Sequence, residues 1–232
     1  MMRNYTKING FTLVEMAIVL VIVGLLLKTL FTPLTAQREL RSIESTQQSL
    51  RQISDALNGF IILKGRLPCP STQADPTNVN YGLEDATCSA SYAAEGYLPW
   101  KTLGMPETDA WATRRTAVGS AWNGYWRYRI DRNFTNASTF NSNILSTGSP
   151  WGTDLLTVRD SSGNAITSST ERPIAIVYSL GGDLTANGQN ATFEATTGIY
   201  ESNTITSGFD DMLIWINRPT VVNRMVTAGR LP

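Results

Sequence analysis

A single carboxylate lies inside the longest apolar run of the chain. Residues 11–27 read FTLVEMAIVLVIVGLLL, and Glu15 is the only charged residue among them. An unpaired carboxylate in the middle of a bilayer costs about 3 kcal/mol, and less near an interface. A charge in this position predicts a functional site. The chemistry that suits it is pairing with an opposite charge from a partner.

Catalytic and metal-binding chemistry has little support in the composition. The chain has no histidine, which removes the commonest general base and the commonest transition-metal ligand. It contains neither a G-x-S-x-G phrase nor a phosphate-binding loop. Basic and acidic residues number 19 each, so the formal charge of zero predicts no surface for nucleic acid. We therefore expect that the protein is not an enzyme, although a serine–lysine hydrolase stays open because serines are plentiful.

The apolar run predicts a helix that positions Glu15. Counted through to Leu34, the run is long enough to cross a bilayer as an α-helix. Two ordinary explanations fit less well. A secretory signal would be cut after Ala36, but Leu34 stands where a small residue is expected. A plain membrane anchor explains neither Glu15 nor the polar stretch MMRNYTKING over residues 1–10.

The helix is predicted to continue beyond the membrane segment. Over residues 35–62, apolar residues recur at steps of three, four and seven, which is typical of an amphipathic helix with one buried face. Pro33 lacks a backbone N–H and clashes with the preceding turn, so it predicts a kink. Gly59 or Gly65 is predicted to end the helix. The apolar positions are Ile43, Leu50, Ile53, Leu57, Phe60 and Ile61.

From Gly65 onward the composition favours strands and turns. Gly, Pro, Ser, Thr, Asn and aromatic residues replace the helical pattern. Glycine-centred turns at 162–164 and 181–183 favour antiparallel pairing. We therefore predict one β-rich globular domain. Its strand candidates are residues 125–130, 155–158, 174–179 and 212–216.

The aromatic residues allow two interpretations. The chain has six tryptophans and eight tyrosines, which could line a sugar-binding face. However, four of the tryptophans lie in or beside the strand and turn phrases, where aromatic side chains more often fill a core. We therefore expect a core role for Trp100, Trp111, Trp126 and Trp215.

The sequence around Glu15 resembles a known export signal. Gly10 is followed by FTLVE over residues 11–15, with a short basic leader before it and an apolar helix after it. This pattern resembles the class III signal of type IV prepilins and type II secretion pseudopilins. The resemblance implies that a prepilin peptidase cuts between Gly10 and Phe11 and methylates the nitrogen of Phe11. It also implies that Glu15 pairs with the terminal amine of a neighbouring subunit.

The resemblance implies the pilin fold, an α+β fold in which a long, kinked N-terminal helix packs on an antiparallel β-sheet. Residues 1–10 are then the leader peptide, and residues 11–34 are the transmembrane and filament-core helix. Residues 35–62 are the amphipathic second half of that helix, and residues 63–232 are the globular domain.

The same resemblance implies a location and a set of partners. The helix lies in the bacterial inner membrane as a single span, with the C-terminal domain in the periplasm, and the subunit then enters a filament or reaches the cell surface. The implied partners are other pilin or pseudopilin subunits, the prepilin peptidase and inner-membrane lipid.

Shorter phrases in the globular domain extend the resemblance to a subgroup of bacterial prepilin-type proteins. Removal of 10 of the 232 residues leaves 222, which is larger than many bulk pilins and favours a minor pilin or pseudopilin. The alternative is a membrane-anchored periplasmic binding protein or enzyme that is not part of a filament. The phrases are GRLPCP at 65–70, GYLPW at 96–100, YSLGGD at 178–183 and DDMLIWI at 210–216.

The two cysteines, Cys69 and Cys88, form no C-x-x-C motif, so neither a redox motif nor a zinc motif is present. A disulfide and two free thiols are the remaining alternatives. Because the resemblance implies export, and oxidising compartments retain disulfides, we predict a bond between Cys69 and Cys88.

The pseudopilin resemblance also implies a calcium site near Asp183, Asp210 and Asp211, because calcium prefers clustered oxygen ligands. Residues 184–187 read LTAN, which is less acidic than a calcium loop prefers. We therefore expect no cofactor and treat these aspartates as turn and strand-start residues, with calcium as the minor alternative.

Overall fold

The structure, a computed structural model, describes residues 12–86, 96–145, 154–193 and 198–231. Within these ranges, the side chains of residues 27–35, 139, 142, 192 and 193 are not described. Gly10, Phe11 and Cys88 therefore lie outside the described residues.

The described residues form helices and two small sheets. The helices are α1 (Leu13–Lys64), α2 (Trp100–Leu103), α3 (Ala137–Leu145), α4 (Asn190–Phe193) and α5 (Arg218–Thr227), with a 3₁₀-helix at Arg132–Phe134. The strands are β1 (Gly96–Tyr97), β2 (Arg127–Ile130), β3 (Thr157–Arg159), β4 (Pro173–Ser179), β5 (Ile199–Glu201) and β6 (Met212–Asn217). The chain divides into two compact units, Met1–Arg41 and Ser42–Pro232, and the division falls within α1.

The described part of the first unit consists of Thr12 and the first part of α1. The backbone is helical through Pro33, and the kink there stays a prediction. Within the described residues, no helix combines the length and the apolar character needed to cross a membrane. The assignment of residues 11–34 to a transmembrane helix stays a prediction.

In the second unit, α1 buries one face. Leu50, Ile53, Leu57 and Ile61 are buried and recur at steps of three or four residues, which places them on one side of the helix. These four residues are among the apolar positions predicted for the second half of the helix. Gly65 ends α1 with a φ of 65°, and its N–H donates to the carbonyl oxygen of Ile61 at 2.8 Å. This left-handed conformation favours glycine as the residue that ends a helix.

The main sheet is antiparallel and has the strand order β1, β2, β4, β6. In the pairing of β4 with β6, Ile176 lies opposite Trp215. The strands predicted at 125–130, 174–179 and 212–216 correspond to β2, β4 and β6. They were predictable because β-branched and aromatic side chains pack well on a pleated surface.

The prediction of antiparallel pairing is wrong for the remaining strand candidate, at residues 155–158. Residues 155–158 overlap β3, which pairs in parallel with β5 in a separate two-stranded sheet. The turn at 162–164 makes only an antiparallel bridge between Arg159 and Ala165, and the chain then enters β4 before it returns as β5. A long connection of this kind permits parallel pairing, which a tight turn does not.

The core lies between α1 and the main sheet. Leu57 of α1, Tyr128 of β2, Val177 of β4 and Ile216 of β6 belong to one buried cluster. Full burial of an aliphatic or aromatic side chain of this size contributes about 2 kcal/mol. An N-terminal helix packed on an antiparallel sheet confirms the predicted α+β class and is consistent with the pilin fold.

Candidate processing and assembly site

Thr12 closes the N-terminus of α1. Its Oγ1 accepts a hydrogen bond from the backbone N–H of Glu15 at 3.2 Å, and its carbonyl oxygen accepts one from the N–H of Met16 at 3.2 Å. A threonine followed three residues later by a glutamate is the capping-box pattern, in which the threonine satisfies an N–H that the first turn leaves unpaired. The sequence predictions give Thr12 no role, although the T-x-x-E spacing before an apolar run indicates one.

Glu15 lies in the first turn of α1, and its side chain is exposed. A carboxylate in this turn interacts favourably with the partial positive charge at the helix N-terminus. Among the residues that the structure describes, no lysine or arginine forms an ion pair with Glu15. Its carboxylate is therefore accessible to a cation from another chain.

An apolar surface extends along α1 on both sides of Glu15. Leu13 is 87 % exposed and Leu20 is 70 % exposed. Extended apolar surfaces that stay exposed mark contacts with membranes or other proteins. This surface therefore fits contact with lipid or with neighbouring helices. Its large exposed residues are Leu13, Val14, Met16, Ile18, Val19, Leu20, Val21, Ile22, Val23, Leu25 and Leu26.

The predicted processing residues directly precede this capped turn. Gly10 and Phe11 lie outside the described residues, and Thr12, the next residue, already acts as the helix cap. Cleavage of the Gly10–Phe11 bond stays a prediction. In sequence, the new amine would lie one residue before the cap and four residues before Glu15.

The segment that carries Cys69 is held by an ion pair. Arg66 binds Glu84 with two hydrogen bonds of 2.7 and 2.9 Å, and the N–H of Cys69 donates to Glu84 Oε2 at 3.2 Å. Burial opposes ionisation of Glu84, but the hydrogen bonds and charge of Arg66, together with the Cys69 N–H, lower its pKa. Cys69 is buried. Since Cys88 lies outside the described residues, the disulfide stays a prediction.

The fold brings together the three aspartates of the calcium alternative, which lie in two different connections. Asp183 follows β4, and Asp210 and Asp211 directly precede β6. Asp210 Oδ2 accepts hydrogen bonds from the N–H groups of Gly182 and Asp183 at 2.7 and 3.1 Å. Across the described ranges, no group of three or more Asp, Glu, His or Cys side chains is arranged to hold a metal ion. The carboxylates act here as acceptors that order the turn.

The tryptophans singled out in the sequence contribute to the core. Trp100 and Trp126 are buried, which confirms the predicted core role for these two. Trp111 and Trp215 are partly buried and pack against buried clusters. A fifth tryptophan, Trp122, stacks on the ring of Tyr97, and the guanidinium of Arg115 lies over the Trp122 ring. These contacts leave little ring surface for stacking on a sugar.

The comparison with protein families identifies the N-terminal segment. The prokaryotic N-terminal methylation motif matches residues 5–27, which include Gly10, Phe11 and Glu15. The chain therefore carries the prepilin-type signal of type IV pilins and pseudopilins, as the resemblance predicted. This signal indicates a processed structural subunit that is anchored in a membrane and assembled at the surface. In comparisons with curated proteins and with solved structures, nothing matches the chain significantly.

Proposed function

We propose that the chain is a structural subunit, a minor pilin or pseudopilin, of a type IV pilus or a type II secretion-like filament. A prepilin peptidase cuts the Gly10–Phe11 bond and methylates the amine of Phe11. The processed subunit resides in the bacterial inner membrane with its C-terminal domain in the periplasm, and it assembles through α1 with other subunits.

The exposed carboxylate of Glu15 carries this proposal. It lies in a capped first turn, inside the matched motif and within an exposed apolar surface. Lipid or other helices would cover that surface, but neither lipid nor an apolar helix face satisfies a carboxylate. A partner that supplies one positive charge next to Glu15 satisfies the carboxylate. The terminal amine of a processed neighbouring subunit is such a charge.

Charge pairing would determine how far one α1 slides along the next. Apolar contacts between helices are non-directional and tolerate many offsets. Burial of one unpaired charge costs several kcal/mol, and pairing recovers that cost only at the offset where the amine and carboxylate meet. Glu15 therefore selects the offset between subunits, while the apolar residues supply most of the contact area.

The first experiment tests processing. The full-length chain is expressed with a prepilin peptidase, and the membrane-extracted product is analysed by mass spectrometry. We expect loss of residues 1–10 and an N-methylated Phe11. An intact leader in the presence of active peptidase, or cleavage near Ala36, would contradict the proposal.

The second experiment tests assembly. Glu15→Ala should be processed and retained in the membrane but absent from sheared filaments, because the amine of the neighbouring subunit then has no partner. Glu44→Ala is the matched control, since Glu44 is also an exposed glutamate of α1 but lies in the second unit. Equal incorporation of both variants, measured by immunoblot of the sheared fraction, would refute the charge-pairing role.

A further inference from the structure

The loop between β4 and α4 is tied to the residues that lead into β6. Gly181 has a φ of 67°, and a Cβ added to it would lie 2.4 Å from the carboxyl carbon of Asp210. The backbone therefore approaches this carboxylate more closely than any other residue type allows. The loop brings Asp183 to Asp210 and Asp211, the residues that the pseudopilin resemblance associates with calcium.

Backbone and amide N–H groups already occupy most of the relevant carboxylate oxygens. Asp183 Oδ1 accepts from the N–H of Thr185 at 2.8 Å. Asp210 Oδ2 accepts from the N–H groups of Gly182 and Asp183. Asp211 Oδ2 accepts from Asn190 Nδ2 at 2.8 Å.

Asn187 contacts all three aspartates. Its Nδ2 donates to Asp183 Oδ2 at 2.9 Å, and its Oδ1 accepts from the N–H of Asp210 at 2.8 Å. Its backbone N–H donates to Asp211 Oδ2 at 2.9 Å. A side-chain amide can act as donor and acceptor at once, so this one residue joins the loop after β4 to the residues that lead into β6.

A calcium ion would need a different donor set. Calcium takes six to eight oxygen ligands, and N–H groups do not serve as ligands. Asp210 Oδ2 and Asp211 Oδ2 each accept two N–H groups, which fills both lone pairs of each oxygen. The three aspartates therefore retain at most four of their six carboxylate oxygens for a metal. The residues present therefore do not fit the ion that the resemblance implies.

We propose that Asn187 closes this loop by hydrogen bonding, in the role that a bound cation would otherwise fill, and that the globular domain folds independently of calcium. The inference concerns the stability of the domain and does not depend on the filament role. It also predicts how a single substitution would create calcium dependence.

The test uses the full-length chain in detergent and follows its Tm by tryptophan fluorescence. The wild type should have the same Tm in EGTA and in millimolar calcium. Asn187→Ala should lower Tm by about 6 °C in both conditions, because two hydrogen bonds are lost. Asn187→Asp should lower Tm by a similar amount in EGTA and recover it in calcium but not in magnesium, because the fourth carboxylate supplies a ligand.

Asn80→Asp is the matched control, since Asn80 is exposed and lies outside this loop; its Tm should not respond to calcium. A calcium-dependent rise in the wild-type Tm, or calcium binding to the wild type by isothermal titration calorimetry, would overturn the proposal. An Asn187→Ala variant with the wild-type Tm would do the same. The wild-type measurements decide the question even if the Asn187 variants fail to fold.

Discussion

The hydroxyl oxygen of Thr12 accepts a hydrogen bond from the backbone N–H of Glu15 at 3.2 Å. The residue that caps α1 and the residue with the exposed carboxylate thus belong to the same turn. Because the cap satisfies the backbone, the carboxylate lies on an ordered turn and can bind another chain. In the proposed filament, this order lowers the entropy cost of charge pairing.

Substitution of Thr12 tests this relationship. Thr12→Ala removes the cap, which typically costs about 1 kcal/mol, and the first turn should then fray. We expect normal cleavage after Gly10 but reduced recovery of the subunit in sheared filaments. Thr12→Ser keeps the hydroxyl and serves as the control, with recovery near wild type. Equal losses in both variants would show that the threonine methyl group matters and the cap does not.

The Arg66–Glu84 pair should make stability depend on pH. Since the pKa of Glu84 is held below its ordinary value of 4.5, the charged form binds protons less readily in the folded state than in the unfolded state. This contribution is present above pH 4.5 and is lost as the pH falls through the lowered pKa.

Glu84→Gln should therefore reduce the free energy of unfolding by about 1 kcal/mol at neutral pH and by less under acidic conditions. Denaturant titrations at several pH values measure this. Glu44→Gln, at an exposed position of α1, should leave the profile unchanged. A loss from Glu84→Gln that is the same at every pH would argue against an electrostatic origin.

A close contact at Gly124 tests the packing of the loop before β2. Gly124 has a φ of 69°, and an added Cβ would lie 2.4 Å from Asp109 Oδ1 and 2.7 Å from the Cα of Ala112. Gly124→Ala should cost more than about 2 kcal/mol in the free energy of unfolding, because overpacking adds to backbone strain. Gly163→Ala should cost only about 1 kcal/mol, because its φ is also positive but no atom lies within 4 Å. Similar losses in the two variants would refute the steric contribution.

The predicted disulfide can be tested by alkylation. The natively purified chain should expose no thiol to iodoacetamide in denaturant unless it is first reduced. The bond would close a loop from position 69 to position 88, 20 residues with both ends counted, and would stabilise the domain by about 3 kcal/mol. Cys88→Ser should lower stability by that amount and release one alkylatable thiol at Cys69. Two thiols in the unreduced wild type would contradict the prediction.

The sequence by itself determined the features that depend on residues close together in the chain. The prepilin-type signal is contiguous, so Gly10, Phe11 and Glu15 can be identified from their neighbours alone. The buried face of α1 follows from helical periodicity, and the strands of the main sheet follow from runs of β-branched and aromatic residues. The capping role of Thr12 could also have been predicted from the sequence, because it depends on a spacing of three residues.

Only the tertiary structure decided which distant segments meet. The parallel pairing of β3 with β5 joins strands that are separated by the whole of β4, and local patterns carry no information on such a choice. The contacts of Asn187 with Asp210 and Asp211 likewise depend on the pairing of β4 with β6, which brings the two loop segments together. The physical reason is that periodicity records which face of an element is buried, whereas the partner of each face depends on how all the elements pack into one core.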